Sequence, residues 1–169
     1  METLYYTSFN SKIGTVHVAS TKKGICKLSI PGQTKKEFIG WLEEHFPTAG
    51  IVESNSKNRK FIDELSRYFD RKLVKFKTRV DLVGSDFQKR VWRELRRIRY
   101  GTTVSYKDLA RRLGSPEAYR AVGRANATNP LPIVVPGHRV LGARDDMIGY
   151  AAGIKTKEFL LRLEGAIML

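Results

Sequence analysis

The residues best able to carry out chemistry lie in a proline-framed loop, from Asn129 to Val140. Within it, Gly137 precedes His138, whose imidazole titrates close to neutral pH and can take or give a proton. Glu164 lies at the end of the last predicted helix, where the helix dipole does not favour a carboxylate. On the residues alone Glu164 is an ordinary helix-end carboxylate, and its unfavourable position is a weak sign of a functional role. On the residues alone, a hydrogen-bonded loop histidine is the plainer interpretation of His138.

A short helix that includes Arg120 has a composition that suits close approach to DNA. Its arginine is long and permanently charged. Small side chains let a helix enter a narrow minor groove, and they read no base sequence. A helix rich in alanine is also commonly a well-packed helix, so both interpretations stay open. The small residues are Ala121, Gly123, Ala125 and Ala127.

The elements that must position these residues fall into two parts. Residues 1–78 predict a small α/β domain of short strands rich in β-branched and aromatic residues, followed by helices with one apolar face. The predicted strands are Leu4–Phe9, Gly14–Ala19 and Ile25–Ile30, and the predicted helices are Thr34–Phe46 and Asn58–Phe69.

Residues 79–169 predict a mostly helical domain. Ser85 and Gln88 form a capping box at the start of its first helix. Two further helices joined by a short turn make a helix-turn-helix pattern, although an ordinary helical hairpin has the same spacing. The predicted elements are a strand at Arg79–Val83, helices from Ser85 to Arg99, from Ser105 to Leu113 and from Ser115 to Thr128, a buried strand-like run at Ile133–Val135 and a helix at Lys155–Glu164. Ser105 and Ser115 are predicted as the caps of their helices.

The composition indicates an intracellular protein with a polyanionic partner. Lysine and arginine number 31 against 17 acidic residues, a net charge of +14, and 11 basic residues against 4 acidic ones lie between Asp86 and Ala125. A generally basic protein is the alternative. No apolar run approaches ~18 residues, and no secretory signal is present. Because the chain has a single cysteine, Cys26, an internal disulfide is excluded. Cys26 is predicted to be a buried residue on a strand.

Several motifs follow one another along the chain with regular spacing. In this order they resemble the O6-alkylguanine-DNA alkyltransferase family, and the resemblance spans nearly the whole sequence. The motifs are Asp86–Trp92, Tyr100–Tyr106, Arg120–Gly123, Asn129-Pro130, Pro136–Val140, Gly149-Tyr150 and Leu160–Gly165, with weaker similarity at Ile13–Thr15 and Gly24–Cys26.

The resemblance implies a catalytic role for most residues of the loop. The family has Pro-Cys-His-Arg-Val where this chain has Gly137, and that cysteine takes the alkyl group from damaged guanine. His138 would activate the thiol through a water, and Glu164 would orient the imidazole. Asn129 would tie the active-site turn together. Tyr106 would help to rotate the nucleotide and then donate a hydrogen bond to the guanine.

The resemblance also implies how a lesion is reached and held. A nucleotide must leave the duplex stack before a protein nucleophile can reach it, and Arg120 would occupy the gap. The carbonyls near Val140 would read the guanine edge, and Tyr150 would line the alkyl pocket. Ala151 and Ala152 stand where the family often has Ser-Gly, which narrows that pocket. The predicted DNA contacts are Arg120, Ala121, Gly123, Arg124, Ala125, Tyr106 and Arg139.

Gly137 has no side chain, so it can be neither nucleophile nor alkyl acceptor. We therefore expect a protein of this family that binds its lesion without transferring the alkyl group. The otherwise complete site favours an engineered cysteine-to-glycine form. The alternative is a natural lesion sensor that recruits other repair factors. A helix-turn-helix transcription factor and a hydrolase that uses a water beside His138 are further hypotheses.

The predicted partner is double-stranded DNA that contains O6-alkylguanine, with other repair proteins as further partners. We expect a monomer that needs no cofactor, metal or membrane. It would act in the cytoplasm, or in the nucleus of a eukaryote.

Overall fold

The computed structural model describes residues 1–29, 31–142, 150 and 153–167. They form two compact units, Met1–Val83 and Gly84–Leu169. The first contains a sheet with two helices and the second is mostly helical, which confirms the predicted fold class. No helix in the described part of the chain is both long and apolar enough to cross a membrane.

The sheet of the first unit has four strands, in the order β3-β2-β1-β4. Strand β2 is antiparallel to both β1 and β3, and β4 is parallel to β1. Gly24 begins β3 at a close approach, because a Cβ there would lie 2.5 Å from the carbonyl oxygen of Arg79. The strands are β1 (Thr3–Ser11), β2 (Gly14–Thr21), β3 (Gly24–Leu28) and β4 (Gly50–Glu53).

Two helices complete the first unit, α1 (Lys35–His45) and α2 (Arg59–Phe69). Thr34 caps α1 by accepting a hydrogen bond from the Glu37 amide. The apolar faces of α1 and of the sheet are buried together, as their sequence patterns predicted. The central residues of this core are Leu4, Ala19, Cys26, Phe38 and Leu42.

Two strand predictions in the first unit differ from the structure. Strand β4 was not predicted, because it has only four residues, none of them buried. The predicted strand Arg79–Val83 is reduced to a single bridge between Val80 and Ile25. Its hydrogen bonds to Ile25 tie this segment to β3, so the compact unit extends to Val83, beyond the boundary expected after residue 78.

The described residues of the second unit form four α-helices and two very short strands. Capping boxes start two of the helices, at Ser85 with Gln88 and at Ser105 with Asp108. The helix that Ser105 caps, the turn after it and the next α-helix form the helix-turn-helix. The elements are α3 (Asp86–Leu95), β5 (Val104–Ser105), α4 (Tyr106–Arg112), α5 (Tyr119–Ala127), β6 (Val140–Leu141) and α6 (Ile154–Leu163), with 3-10 helices at Pro116–Ala118 and Gly137–Arg139.

Three local predictions in this unit were wrong. Helix α3 ends at Leu95 rather than Arg99, because the chain turns there through i→i+3 hydrogen bonds. Ser115 makes no capping bond, and the 3-10 turn Pro116–Ala118 precedes α5. The apolar run Ile133–Val135 is a buried turn rather than a strand. Its apolar side chains are therefore explained by burial and not by pairing in a sheet.

Candidate active site

A two-residue parallel pairing brings the predicted site together. Val104 of β5 lies opposite Val140 of β6, and Ser105 lies opposite Leu141. Ser105 also caps α4, so Tyr106 follows directly from the paired strand. The 3-10 helix over residues 137–139 ends where β6 begins. Residues separated by more than thirty positions in sequence therefore meet at one place.

Asn129 holds the turn that precedes Gly137. Its side-chain oxygen accepts a hydrogen bond from the Leu131 amide at 2.9 Å, and its Nδ2 donates to the Val135 carbonyl at 2.8 Å. Within this turn Ile133 has φ of 75°, which is rare for a β-branched residue and indicates local strain. The side chain of Asn129 is buried, so these bonds fix the backbone that leads to the site.

A buried network of three side chains lies beside Gly137. The Nε2 of His138 donates to Glu164 Oε2 at 2.7 Å. Arg139 donates from Nε and from Nη2 to the two oxygens of the same carboxylate, each at 2.9 Å. The side chains of His138 and Glu164 are fully buried. A bidentate contact of this kind fixes both the charge and the orientation of a carboxylate.

Burial and the network set the protonation states of these groups. Burial opposes the charge on Glu164, but its bonds to His138 and Arg139 hold the pKa of that carboxyl well below its usual range. Burial lowers the pKa of His138, although the contact with Glu164 raises it in part. We conclude that a neutral imidazole faces an ionised carboxylate. Because Nε2 carries the proton, Nδ1 is the basic nitrogen, and it has no hydrogen-bond partner among the described residues.

Asn126 occupies the space where a side chain at position 137 would begin. An ideal Cβ on Gly137 would lie 2.3 Å from Asn126 Oδ1. The Nδ2 of Asn126 donates to the Tyr106 hydroxyl at 3.0 Å and to the Gly137 carbonyl at 3.2 Å. This buried side chain thus links α5, the start of α4 and the turn at Gly137. Sequence reasoning missed it because it stands within an alanine-rich helix.

The two predicted aromatic residues lie close to this network. Burial raises the pKa of Tyr106, against a smaller opposite effect of its bond to Asn126. Tyr150 packs edge-on against the His138 ring, with 6.2 Å between the ring centroids, and burial raises its pKa. The predicted pocket residues Ala151 and Ala152 lie outside the described residues.

Lys157 is a second site residue that the sequence analysis missed. It is fully buried in α6, and its ammonium donates to the carbonyl of Val140 at 2.5 Å. This carbonyl belongs to the group near Val140 that was expected to face the guanine edge. A signal was present in the sequence, because Lys157, Leu160, Leu161 and Glu164 share one helix face at i, i+3, i+4 and i+7 spacing.

The predicted DNA-contacting residues divide between surface and interior. Arg120 and Arg124 are exposed, and Ala121 and Gly123 are partly exposed. Ala125 is 3% exposed, and its carbonyl accepts a hydrogen bond from the Trp92 ring, so its side chain does not face DNA.

Arg139 is likewise an interior residue and not a DNA contact. It is 7% exposed, and its guanidinium is engaged by Glu164 and by the carbonyl of Ile98 at 2.7 Å. We assign it the task of holding Glu164. From sequence alone, an arginine in a loop of a basic protein gives no sign that it turns inward.

Cys26, the single thiol, is poorly suited to accept an alkyl group. It is fully buried among the core residues of the first unit. Burial, with smaller effects of Asp81 and Glu2, raises the pKa of the thiol to about 12. A thiol in this state is almost entirely protonated at neutral pH, and the thiolate is the nucleophilic form.

Comparisons with known proteins agree with this arrangement. The family described as 6-O-methylguanine DNA methyltransferase matches in two parts, the ribonuclease-like domain over residues 4–82 and the DNA binding domain over residues 86–166. A methylated-DNA–protein-cysteine methyltransferase of Methanosarcina barkeri is 40% identical over 167 residues, which cover 95% of this chain and 97% of the relative. An inducible one from Bacillus subtilis is 36% identical and covers 96% and 90%.

Solved structures give the same result for the fold. The O6-methylguanine methyltransferase of Mycobacterium tuberculosis superposes with a TM-score of 0.83 at 36% identity, over 96% of this chain and 93% of that one. The M. tuberculosis protein in complex with DNA gives 0.80 at 36% identity, over 95% and 92%. The chain therefore belongs to the O6-methylguanine-DNA methyltransferase family, whose curated members are DNA-repair methyltransferases.

Proposed function

We propose that this protein binds duplex DNA that contains O6-alkylguanine and holds the flipped base at the Gly137 turn without accepting its alkyl group. The observation that carries the proposal is the buried His138–Glu164–Arg139 network, which stands beside a residue that has no side chain. Such a network serves to activate a neighbouring nucleophile. With glycine at position 137, the network has nothing to activate, and the alkyl group stays on the base.

The second unit supplies the surface for this binding. Arg120 and Arg124 are exposed at α5, with Ala121 and Gly123 between them. Small residues allow the helix to approach the minor groove, and a long arginine can fill the gap that an extruded nucleotide leaves. The protein would act in whichever compartment holds the DNA.

The missing acceptor leaves two roles for lesion binding. In a cysteine-to-glycine variant of a repair enzyme, the complex is a trapped intermediate. In a natural lesion sensor, the complex is a signal that recruits other repair proteins. The position of Asn126 favours a site adapted to glycine, because its Oδ1 lies 2.3 Å from where a Cβ at position 137 would stand.

The proposal is tested by measuring the affinity of this chain for matched duplexes with one O6-methylguanine or one guanine. We expect tighter binding to the lesion duplex and no change in the intact mass of the protein. Arg120→Ala should abolish most of the preference for the lesion. Arg124→Ala removes a matched exposed charge from the same helix and should weaken binding to both duplexes alike. Equal affinity of the unmodified chain for both duplexes would overturn the proposal.

A further inference from the structure

The first unit contains a groove that the proposed lesion chemistry does not use. It encloses about 440 Å³ and lies between the sheet and the start of α2. Its walls come from β1, β2, β3, the first turn of α2 and the segment 77–79. Every described lining residue belongs to the first unit.

The groove is strongly positive. Five of its described lining residues are basic, none is acidic, and all five basic side chains are exposed. None of the five forms an ion pair with another described residue. Like charges gathered in one concavity raise the local positive potential and attract anions. The five residues are Lys22, Lys57, Lys60, Lys77 and Arg79.

Two acidic residues near the groove have other partners. The carboxylate of Glu64 accepts hydrogen bonds from the backbone amides of Lys77 and Thr78, at 2.7 and 3.1 Å. Asp81 accepts a hydrogen bond from the Thr21 hydroxyl at 2.7 Å. These bonds hold the segment 77–81 in place. Both carboxylates therefore already accept hydrogen bonds from donors of the protein itself.

The start of α2 adds further features of a binding site. The first turn of the helix carries no acidic residue, and Arg59 and Lys60 stand there instead, against the preference of the helix dipole. Asn58, at the cap position, is 2% exposed and lines the groove. Its Nδ2 donates to the Tyr5 carbonyl, but its Oδ1 has no hydrogen-bond partner among the described residues. A buried acceptor of this kind calls for a donor from outside.

We infer that this groove binds the sugar-phosphate backbone of a nucleic acid strand, as a second contact independent of the lesion site. The five cations match phosphates, and the helix start presents backbone amides to an anion. A sulfate ion or the esterified backbone of DNA offers Asn58 Oδ1 no donor, whereas the amino groups of the bases do. Both features of the groove therefore suit a nucleic acid strand.

The test uses the full chain and an undamaged duplex, so that it does not depend on lesion recognition. Affinity is measured over a range of salt concentrations for the triple variant Lys57→Gln, Lys60→Gln and Lys77→Gln. The matched control is the triple variant Lys36→Gln, Lys72→Gln and Lys75→Gln, which removes the same charge from exposed positions of the same unit outside the groove.

We expect the groove variant to reduce the slope of log affinity against log salt by about 2 to 3, since each lost phosphate contact contributes about 0.9. The control should change the slope by less than about 1. Hydrogen exchange at residues 57–61 should slow when the duplex is added. Equal slopes for the two triple variants would overturn the inference. So would slower exchange with a free nucleotide but not with DNA, which would assign the groove to a mononucleotide.

Discussion

Glu164 is the residue on which the buried network depends, since its carboxylate accepts hydrogen bonds from both His138 and Arg139. The family resemblance assigned it a role, and its position at a helix end that disfavours acids was a weak supporting sign. The direction of Arg139 could not be read in the same way, because a basic residue beside His138 suits a DNA contact and an internal ion pair equally well. Only the packing decides between them.

Replacing Glu164 with Gln should destabilise the second unit severely. The change leaves the Arg139 guanidinium buried without its counter-charge, which typically costs about 3–5 kcal/mol of unfolding free energy. Denaturant unfolding measures this cost. Glu117→Gln, at an exposed position of the same unit, should change stability by less than about 0.5 kcal/mol. A cost below about 1 kcal/mol for Glu164→Gln would show that the network is not a true ion pair.

His138 should make the protein less stable in mild acid. Burial lowers its pKa in the folded chain from the ordinary value of 6.5, so the unfolded chain binds more protons once the pH falls below 6.5. The free energy of unfolding therefore decreases from pH 6.5 downwards. In His138→Gln, which retains a donor for Glu164, this decrease should be smaller.

The melting temperature between pH 8 and 5 checks this prediction. Burial and Lys35 also lower the pKa of His17, but that residue is present in both proteins and its effect cancels in the comparison. Identical pH dependence of the two proteins would contradict the assignment of a neutral, buried His138.

Among the elements, α5 has two faces with different roles. One face exposes Arg120 and Arg124, and the opposite face carries Asn126 inward to the Gly137 turn. The effect of a substitution on the inner face should therefore be coupled to that of a substitution at the Gly137 turn.

A double-mutant cycle should detect this coupling. Gly137→Ala places a Cβ about 2.3 Å from Asn126 Oδ1, so we expect a loss of about 1–3 kcal/mol of unfolding free energy. In an Asn126→Ala background the same change should cost at least about 1 kcal/mol less. Gly123→Ala is the control, because its Cβ would meet nothing closer than 3.9 Å. Additive costs at positions 126 and 137 would refute the contact.

The elements show how far sequence patterns extend. Ser85 and Ser105 were predicted as caps because capping depends on a few neighbouring residues, and the structure gives a capping box at both. Strand β4 and the pairing of β5 with β6 depend on partners far along the chain, and their few residues carry no pattern of their own. The run Ile133–Val135 shows the same limit, since buried turns and buried strands are equally apolar.

At the scale of the whole molecule, the chain has a single cysteine, and its thiol is buried in the first unit. Most of the site residues were identified by resemblance, but Asn126 and Lys157 were not. The roles of those two follow from contacts that form only when α5, α6 and the Gly137 turn are assembled. The charge of +14 indicated a polyanionic partner, but it could not place the cations in a particular groove.

We expect the folded protein to resist thiol reagents. The Cys26 thiol has its pKa raised to about 12 and is fully buried, so little reactive thiolate is present at neutral pH. Intact mass after treatment with iodoacetamide should be unchanged in the native state and should increase by one adduct after denaturation. Rapid modification of the native protein would contradict this account of Cys26.

The most direct test of the central claim introduces a thiol at position 137. Gly137→Cys, alone and with Asn126→Ala to clear the space for its Cβ, is incubated with a duplex that carries one O6-methylguanine. The intact mass of each variant is then measured, with the unmodified chain treated in the same way for comparison. The account predicts one added methyl group on at least one cysteine variant and none on the unmodified chain. Tight lesion binding by both variants with no methyl transfer would show that the network does not activate a nucleophile at this position.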